Sequence, residues 1–303
     1  MLVAVGDLVV DVVVRLEEPP DGRPDGVGAG SVVVNLGSDT PATVTHRQGG
    51  SAANVCVAAA RLGAPTRFVG QVGDDPTGRW LVDSLRAAGV DTAVRAAGRT
   101  GSVIVLCHAD GERSMITDRG ASAELAGAEP DWLDGARALH LPLYTLAADP
   151  LRSTAVALAG AARRAGAVVS VDLSSTSLLA ALGRAVVGDL IARLAPDVVL
   201  ANRAEAAWAE AARAGGAGVG IVPLSAMRVE KRGPESAVVT AAGRAAVAVP
   251  AVPIGPVADS TGAGDAFAAG WLTASLAGAD PVEATVAAHR AAADHLVALG
   301  AGG

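Results

Sequence analysis

The run Asp259-Ser260-Thr261-Gly262-Ala263-Gly264-Asp265-Ala266-Phe267 sets two glycines and a carboxylate at the head of an apolar stretch. Gly262 and Gly264 free the backbone to approach a ligand, and residues 265–277 read as a helix. A glycine turn entering a helix presents unpaired N–H groups at the positive end of the helix dipole, which suits a phosphate. Asp265 then stands in the first turn, where a carboxylate could take the proton of an alcohol beside a bound phosphoryl group. The same residues also suit a plain helix start, with Asp265 offsetting the dipole and the glycines present for packing. A dinucleotide fingerprint fits poorly, because Phe267 stands where a third glycine or alanine is needed, and no Gly-x-x-x-x-Gly-Lys-[Ser/Thr] run occurs.

A second glycine turn, Gln48-Gly49-Gly50-Ser51-Ala52-Ala53-Asn54, also enters a helix. Asn54 falls in its first turn, within reach of a polar ligand; the alternative is a simple capping turn with Ser51 as N-cap. Asp7 and Asp11 follow the first strand, and Glu205 closes Asn202-Arg203-Ala204-Glu205. Taken alone these read as polar strand ends and a solvated first-turn carboxylate. Arg113 and Arg119 are further candidates for substrate contact, with exposed surface charge as the simpler reading. The five histidines show no metal-ligand spacing, and His289 reads as a surface residue of the last helices.

The elements that must hold these residues alternate. Strands are expected at Leu2–Val5, Val9–Val14, Ser31–Leu36, Thr66–Val72, Ala138–Leu141, Val168–Asp172, Val198–Ala201, Gly220–Leu224 and Ala237–Thr240. Helices are expected at 51–62, 75–88, 151–165, 177–194 and 203–214. Two strand-like runs around Ala109-Asp110-Gly111 form a hairpin pattern within 100–117. Continuously apolar strands alternating with helices imply a largely parallel sheet covered on both faces, an α/β fold. The strand-rich stretches near 8–47 and 99–119 interrupt that rhythm and could form a small separate sheet.

Composition narrows the partners. Apolar residues make up 51% of the 303 positions but aromatics only 2%, and the formal charge is −7. With a pI near 5.2, no basic surplus exists to neutralise phosphates, and no row of rings exists for base stacking, so no nucleic-acid partner is expected. The prolines at 250, 253 and 256 break the longest uncharged stretch, so no membrane span is expected. Cys56 and Cys107 read as buried thiols of a reducing compartment. The start shows no signal-peptide pattern, and a cytoplasmic protein is expected.

Two separated patterns resemble the signatures of the PfkB family of carbohydrate kinases, which has the ribokinase-like fold. Gly49-Gly50-Ser51-Ala52-Ala53-Asn54, continuing through Gly70-Gln71-Val72-Gly73-Asp74-Asp75-Pro76-Thr77-Gly78, resembles the first, and Asp259 to Phe267 the second. The resemblance spans essentially the whole chain. It implies one three-layer α/β/α domain over 1–303 with a mostly parallel central sheet and a small β-sheet lid drawn from about 11–46 and 99–119.

The resemblance also implies roles. Asp265 matches the base that deprotonates the acceptor hydroxyl for attack on the γ-phosphate of ATP, with the amides of Gly262, Ala263 and Gly264 as anion hole. Asp11, Gly49, Gly50 and Asn54 match the sugar-binding positions. Asn202, Lys231 and Gly233 match nucleotide-binding positions, and Glu205 matches the residue that places Mg²⁺ through water. Asp259 and Thr261 match half of a monovalent-cation site, so K⁺ joins ATP and Mg²⁺ among the implied cofactors. Ser236, Leu173-Ser174-Ser175 and Val9 depart from the family pattern at a nucleotide turn, a phosphate-side contact and a sugar contact. The expected activity is phosphoryl transfer to a sugar hydroxyl by a homodimer. A nucleoside kinase of the same fold and a non-catalytic binding protein are the alternatives. The expected lid stretches, 11–46 and 99–119, carry no Phe, Tyr or Trp, which favours a sugar over a nucleoside.

Overall fold

Leu2, Val3, Ala4 and Val5 have no exposed surface, as a strand covered on both faces requires; they form β1 (Leu2–Val5). This strand lies inside a nine-stranded sheet of the computed structural model, which describes residues 1–16, 37–107, 113–214, 221–255, 257 and 259–300. Along the chain follow β2 (Val9–Leu16), β3 (Ala42–Gly49), β4 (Thr66–Val72), β5 (Asp91–Ala96), β6 (Thr100–Cys107) and β7 (Arg113–Gly120). Then come β8 (Ala138–Pro142), β9 (Val168–Asp172), β10 (Val198–Asn202), β11 (Met227–Lys231), β12 (Ser236–Thr240) and β13 (Val247–Pro250). The helices are α1 (Ser51–Arg61), α2 (Pro76–Ala87), α3 (Leu151–Arg164), α4 (Thr176–Leu194), α5 (Arg203–Ala214), α6 (Ala263–Leu276) and α7 (Pro281–Gly300).

The large sheet has the order β13-β12-β11-β10-β9-β8-β1-β4-β5 and is parallel from β11 to β5, with β12 and β13 added antiparallel at one edge. Alternation along each strand sends side chains to opposite faces. Val3 and Val5 join Leu139, Leu141, Val169 and Val171 under α3, α4 and α5. Leu2 joins Ala138, Val198 and Leu200 against α1, α6 and α7 on the other face. The layers are therefore helix, sheet, helix. Helix α6 is buried along Ala266–Leu272 because it lies between the sheet, α1 and α7.

A second sheet has the order β3-β2-β6-β7, with β2 parallel to β6 and the other pairs antiparallel. Asp75 joins it to the body. Its carboxylate caps α2 by accepting from Gly78 N (2.7 Å) and also accepts from the amide (2.8 Å) and hydroxyl (2.7 Å) of Thr100 at the start of β6.

Some expectations need correction. The strand expected at Gly220–Leu224 is not formed: residues 221–226 turn, Pro223 cannot continue a ladder, and the strand is Met227–Lys231. Strand β5 was not anticipated, and neither was β13, which falls inside the uncharged proline-rich stretch. The expected strand at 31–36 and the Asp110-Gly111 turn lie outside the described residues. No helix among the described residues is long and apolar enough to cross a membrane.

Candidate active site

The carboxyl ends of the parallel strands supply one edge on which polar residues collect, the usual ligand edge of an open α/β sheet. Asp7 follows β1, Asp172 ends β9, Asn202 ends β10 and Lys231 ends β11. The start of α6 meets this edge. Gly262 takes a left-handed conformation (φ 76°, ψ −2°) that a side chain would strain. Ala263 N–H turns back to Ser260 O at 3.3 Å, and Ala266 N–H caps onto Gly262 O at 2.8 Å. Among the described residues no protein acceptor falls to the amides of Gly262, Gly264 and Asp265. Two of the three expected anion-hole amides thus stand free, while that of Ala263 is engaged.

Asp265 is held by the other glycine turn. Ser51 Oγ donates to its Oδ1 at 2.6 Å and Asn54 Nδ2 to its Oδ2 at 2.9 Å; Gln48 Nε2 in turn donates to Asn54 Oδ1 at 3.2 Å. Ser51 is therefore not the N-cap of α1. That position is Gly50, with no side-chain cap. Asn54, expected at the sugar, is thus hydrogen-bonded to Asp265. Burial pushes the Asp265 carboxyl above the usual carboxylate range, the Ser51 and Asn54 donors oppose that rise, and the Asp172 charge adds to it.

Asp11 stands directly over Gly49, where an added Cβ would lie 2.1 Å from Asp11 Oδ1. Burial first, then the neighbouring Asp265 charge, push its carboxyl up to about 6 against the pull of Arg47. Gly50 (φ 108°) gives room to the Asp7 carbonyl, which would sit 2.0 Å from a Cβ there. The Asp7 carboxylate accepts a bidentate pair from Arg119 of β7, Nε at 2.9 Å to Oδ2 and Nη2 to Oδ1. Arg119 is thus not an exposed charge.

On the opposite flank, Lys231 Nζ pairs with Asp172 Oδ2 at 2.5 Å, across the end of β10. Burial works against the ammonium, but the charge and hydrogen bond of Asp172, with the charges of Glu205 and Asp265, together hold the Lys231 pKa above its usual value. The same Nζ lies 3.5 Å from where a Gly264 Cβ would be, so a cation faces the free amides. Gly233 (φ 59°) lies in the β11–β12 turn, closed by Arg232 N–H to Ser236 O at 3.0 Å, with no bond to the Asp265 cluster among the described residues.

Asn202 and Glu205 close on one another. Glu205 N–H donates to Asn202 Oδ1 (2.9 Å), and Asn202 donates to both carboxylate oxygens through its amide (2.8 Å) and Nδ2 (2.7 Å). This is a capping box at the head of α5. Glu205 is 2% exposed, so it is not a solvated carboxylate; burial, then the Asp172 charge, push its carboxyl up. Both Glu205 oxygens carry an Asn202 donor, and the lone pair left on each could accept from a metal-bound water, a fit for a metal held through water. No cluster of three metal-ligating side chains occurs among the described residues.

The two oxygens expected to hold a monovalent cation already have donors. Asp259 Oδ1 accepts from Arg113 Nη1 (2.8 Å), Thr261 N (2.9 Å) and Thr261 Oγ1, with Arg47 Nη1 at 3.6 Å from Oδ2. Burial raises the Asp259 carboxyl, but these partners prevail and hold it below the usual range. The Thr261 carbonyl accepts from His295 Nε2 at 2.7 Å. Part of the oxygen set that a monovalent cation would need is thus taken by protein donors.

Residues that sequence reasoning passed over complete the site: Ser51, Gln48, Asp172, His295 and Tyr144. Tyr144, in the short 3₁₀ turn after β8, lies within electrostatic reach of Glu205, Asp265 and Asp7. Of the departures, Ser174 donates to Asp172 O (3.0 Å) and Ser175 caps α4 through Leu178 N (3.2 Å). His289 is a buried residue, not a surface one, donating to Val249 O at 3.1 Å and edge-on to Phe267. A cavity of about 270 Å³ between α5 and β11–β12, on the far face, is lined by none of the expected site residues.

The sequence pattern of pfkB family carbohydrate kinases matches residues 25–301. A fructokinase of Klebsiella pneumoniae is 34% identical over 258 residues, covering 80% of this chain and 81% of its own. An adenosine kinase of Sinorhizobium meliloti superposes with a TM-score of 0.78 at 26% identity, over 96% of this chain and 92% of that one. A probable sugar kinase of Rhizobium etli superposes with a TM-score of 0.79 at 26% identity, over 98% and 92%.

Proposed function

From the premise that the chain belongs to the pfkB family of carbohydrate kinases and is a sugar kinase, we propose that it transfers the γ-phosphoryl group of ATP to a hydroxyl of a free hexose, with fructose the first candidate. The observation that carries the reading is Asp265. Its carboxylate is aimed by Ser51 and Asn54 beside the free amides at the head of α6.

In the proposed reaction the sugar hydroxyl donates its proton to Asp265. The oxygen attacks the γ-phosphorus in line, the bond to the β-phosphate oxygen breaks, and ADP leaves. A carboxyl raised by burial is a stronger base, suited to that proton transfer. The amides of Gly262 and Gly264, with Lys231 beside them, meet the charge that grows on the transferring group. Asp11 takes sugar hydroxyls over Gly49. Mg²⁺, when bound with the nucleotide, would neutralise phosphate charge; Glu205 would hold its hydration shell in place. The β3-β2-β6-β7 sheet closes over the sugar and excludes water. Two copies pair through the outer face of that sheet, where Val44, Ile104 and Ile116 share one side and stay exposed.

Tyr144 favours a second reading. Its ring beside the site would give a nucleoside base a surface to stack on. A coupled ADP-release assay across sugars and nucleosides, with Asp265→Asn as control, separates the readings. Turnover on fructose, absent from the control, is expected. Turnover only on nucleosides transfers the assignment, and turnover surviving in the control removes Asp265 as base.

A further inference from the structure

His295, near the end of α7, makes no hydrogen bond to a carboxylate among the described residues, yet it lies against the turn that builds the anion hole. Its Nε2 is 2.7 Å from the Thr261 carbonyl, and a Cβ on Gly262 would lie 2.9 Å from the same nitrogen. A carbonyl only accepts, so Nε2 carries the hydrogen. In a trans peptide the carbonyl and the following N–H point in opposite directions. Holding the Thr261 carbonyl toward α7 therefore turns the Gly262 N–H away from α7. The free conformation of glycine, useful for making this turn, would otherwise let that peptide plane rotate.

We infer that His295 is a positioning residue of phosphoryl transfer: its Nε2–H fixes the Thr261–Gly262 peptide so that the Gly262 amide faces the transferring phosphoryl group. The other side of the same loop is held by Arg113, whose guanidinium reaches Asp259 and Ser260 Oγ (3.2 Å). The loop is thereby gripped from α7 and from β7, and His295 is the grip that acts on an anion-hole peptide directly. Lys231 stands near Gly264 on the neighbouring turn, so loss of the Gly262 amide would remove one donor and leave the other groups in place. The role rests on the kinase reading above.

The test compares wild type, His295→Ala and His295→Gln, since the glutamine amide retains an N–H donor. With ATP and the sugar that the wild type accepts, His295→Ala is expected to lower kcat about 10- to 100-fold, at or below the roughly 10²- to 10³-fold loss of an anion-hole donor itself, since the amide is misaligned and not removed. The KM for sugar should stay within about threefold, and His295→Gln should recover most of kcat. Unchanged kcat in His295→Ala, or equal loss in both variants, overturns the role. A second measurement separates this failure from failure of the kinase reading: titration with ADP plus beryllium fluoride, a γ-phosphate mimic. His295→Ala should weaken that binding at least tenfold with ADP affinity unchanged, whether or not any sugar turns over. Equal affinity in all three proteins overturns the inference.

Discussion

Two glycine turns enter two packed helices, and their glycines serve opposite ends. At the head of α1, the space a side chain would fill is taken by the protein itself: the Asp7 carbonyl against Gly50 and the Asp11 carboxylate against Gly49. At the head of α6, Gly264 has only Lys231 Nζ near it, at 3.5 Å, and the amides of Gly262, Gly264 and Asp265 are unpaired among the described residues. Gly49 and Gly50 are glycine so that the chain can close on itself, as is Gly262 against His295 Nε2; Gly264 is glycine so that something else can approach. The lesson is that the residue type alone does not separate the two. What a Cβ would strike does.

The largest effect expected is on the carboxylate that joins the turns. Asp265→Asn should reduce kcat by about 10²- to 10⁴-fold, the range of a lost general base, with little change in melting temperature. Next comes Gly50→Ala. A left-handed glycine facing backbone cannot take a side chain without moving Asp7, so a melt should show destabilisation of about 1–3 kcal/mol. Gly264→Ala should do the reverse. It lies inside the first helical turn without backbone in its way, so the melting temperature should hold or rise slightly, while kcat falls about tenfold. If both alanine variants melt alike, the contrast between the turns is lost.

A smaller effect reads the charge on Asp11. Its folded-state carboxyl, raised from 3.8 to about 6, binds its proton more tightly than in the unfolded chain. Stability from the protonated form is full below 3.8 and lost as pH rises through about 6. Asp11→Asn should therefore raise the melting temperature by a few degrees at pH 8, change little at pH 4, and still raise the KM for sugar. A variant less stable than wild type at pH 8 contradicts the raised carboxyl. The smallest effect is expected from cations: exchanging K⁺ for choline should leave turnover within about twofold, because Asp259 and the Thr261 carbonyl already have protein donors.

The parts of this site that the sequence exposes are those encoded locally. Both glycine turns and Asp265 are legible because three or four adjacent residues define them. Asn202-Arg203-Ala204-Glu205 was legible as a motif, but its spacing is also that of a capping box, and only the structure shows the cap closed. What stayed hidden depends on distant partners. Arg113 meets Asp259 across 146 positions and Ser51 meets Asp265 across 214, pairings that no periodicity announces. Strand β11 was misplaced for a different reason: Met227-Arg228-Val229-Glu230-Lys231 carries three charges, whereas the neighbouring Ile221-Val222-Pro223-Leu224 is apolar. The lysine that ends β11 belongs to the site, so burial of one face had to coexist with charge at the end.

Asp7 also joins parts of the molecule that move separately in the proposed reaction. Its carbonyl fills the space at Gly50, while its carboxylate, with 13% of the side chain exposed, holds Arg119 on β7. Together with Arg113 on Asp259, this makes the approach of the small sheet to the body an act of charge neutralisation. Once apart, these groups face bulk electrolyte, where the Debye length is about 8 Å at physiological ionic strength. Added salt should therefore shorten the time the sheet stays docked, and ionic strength would set how quickly product escapes.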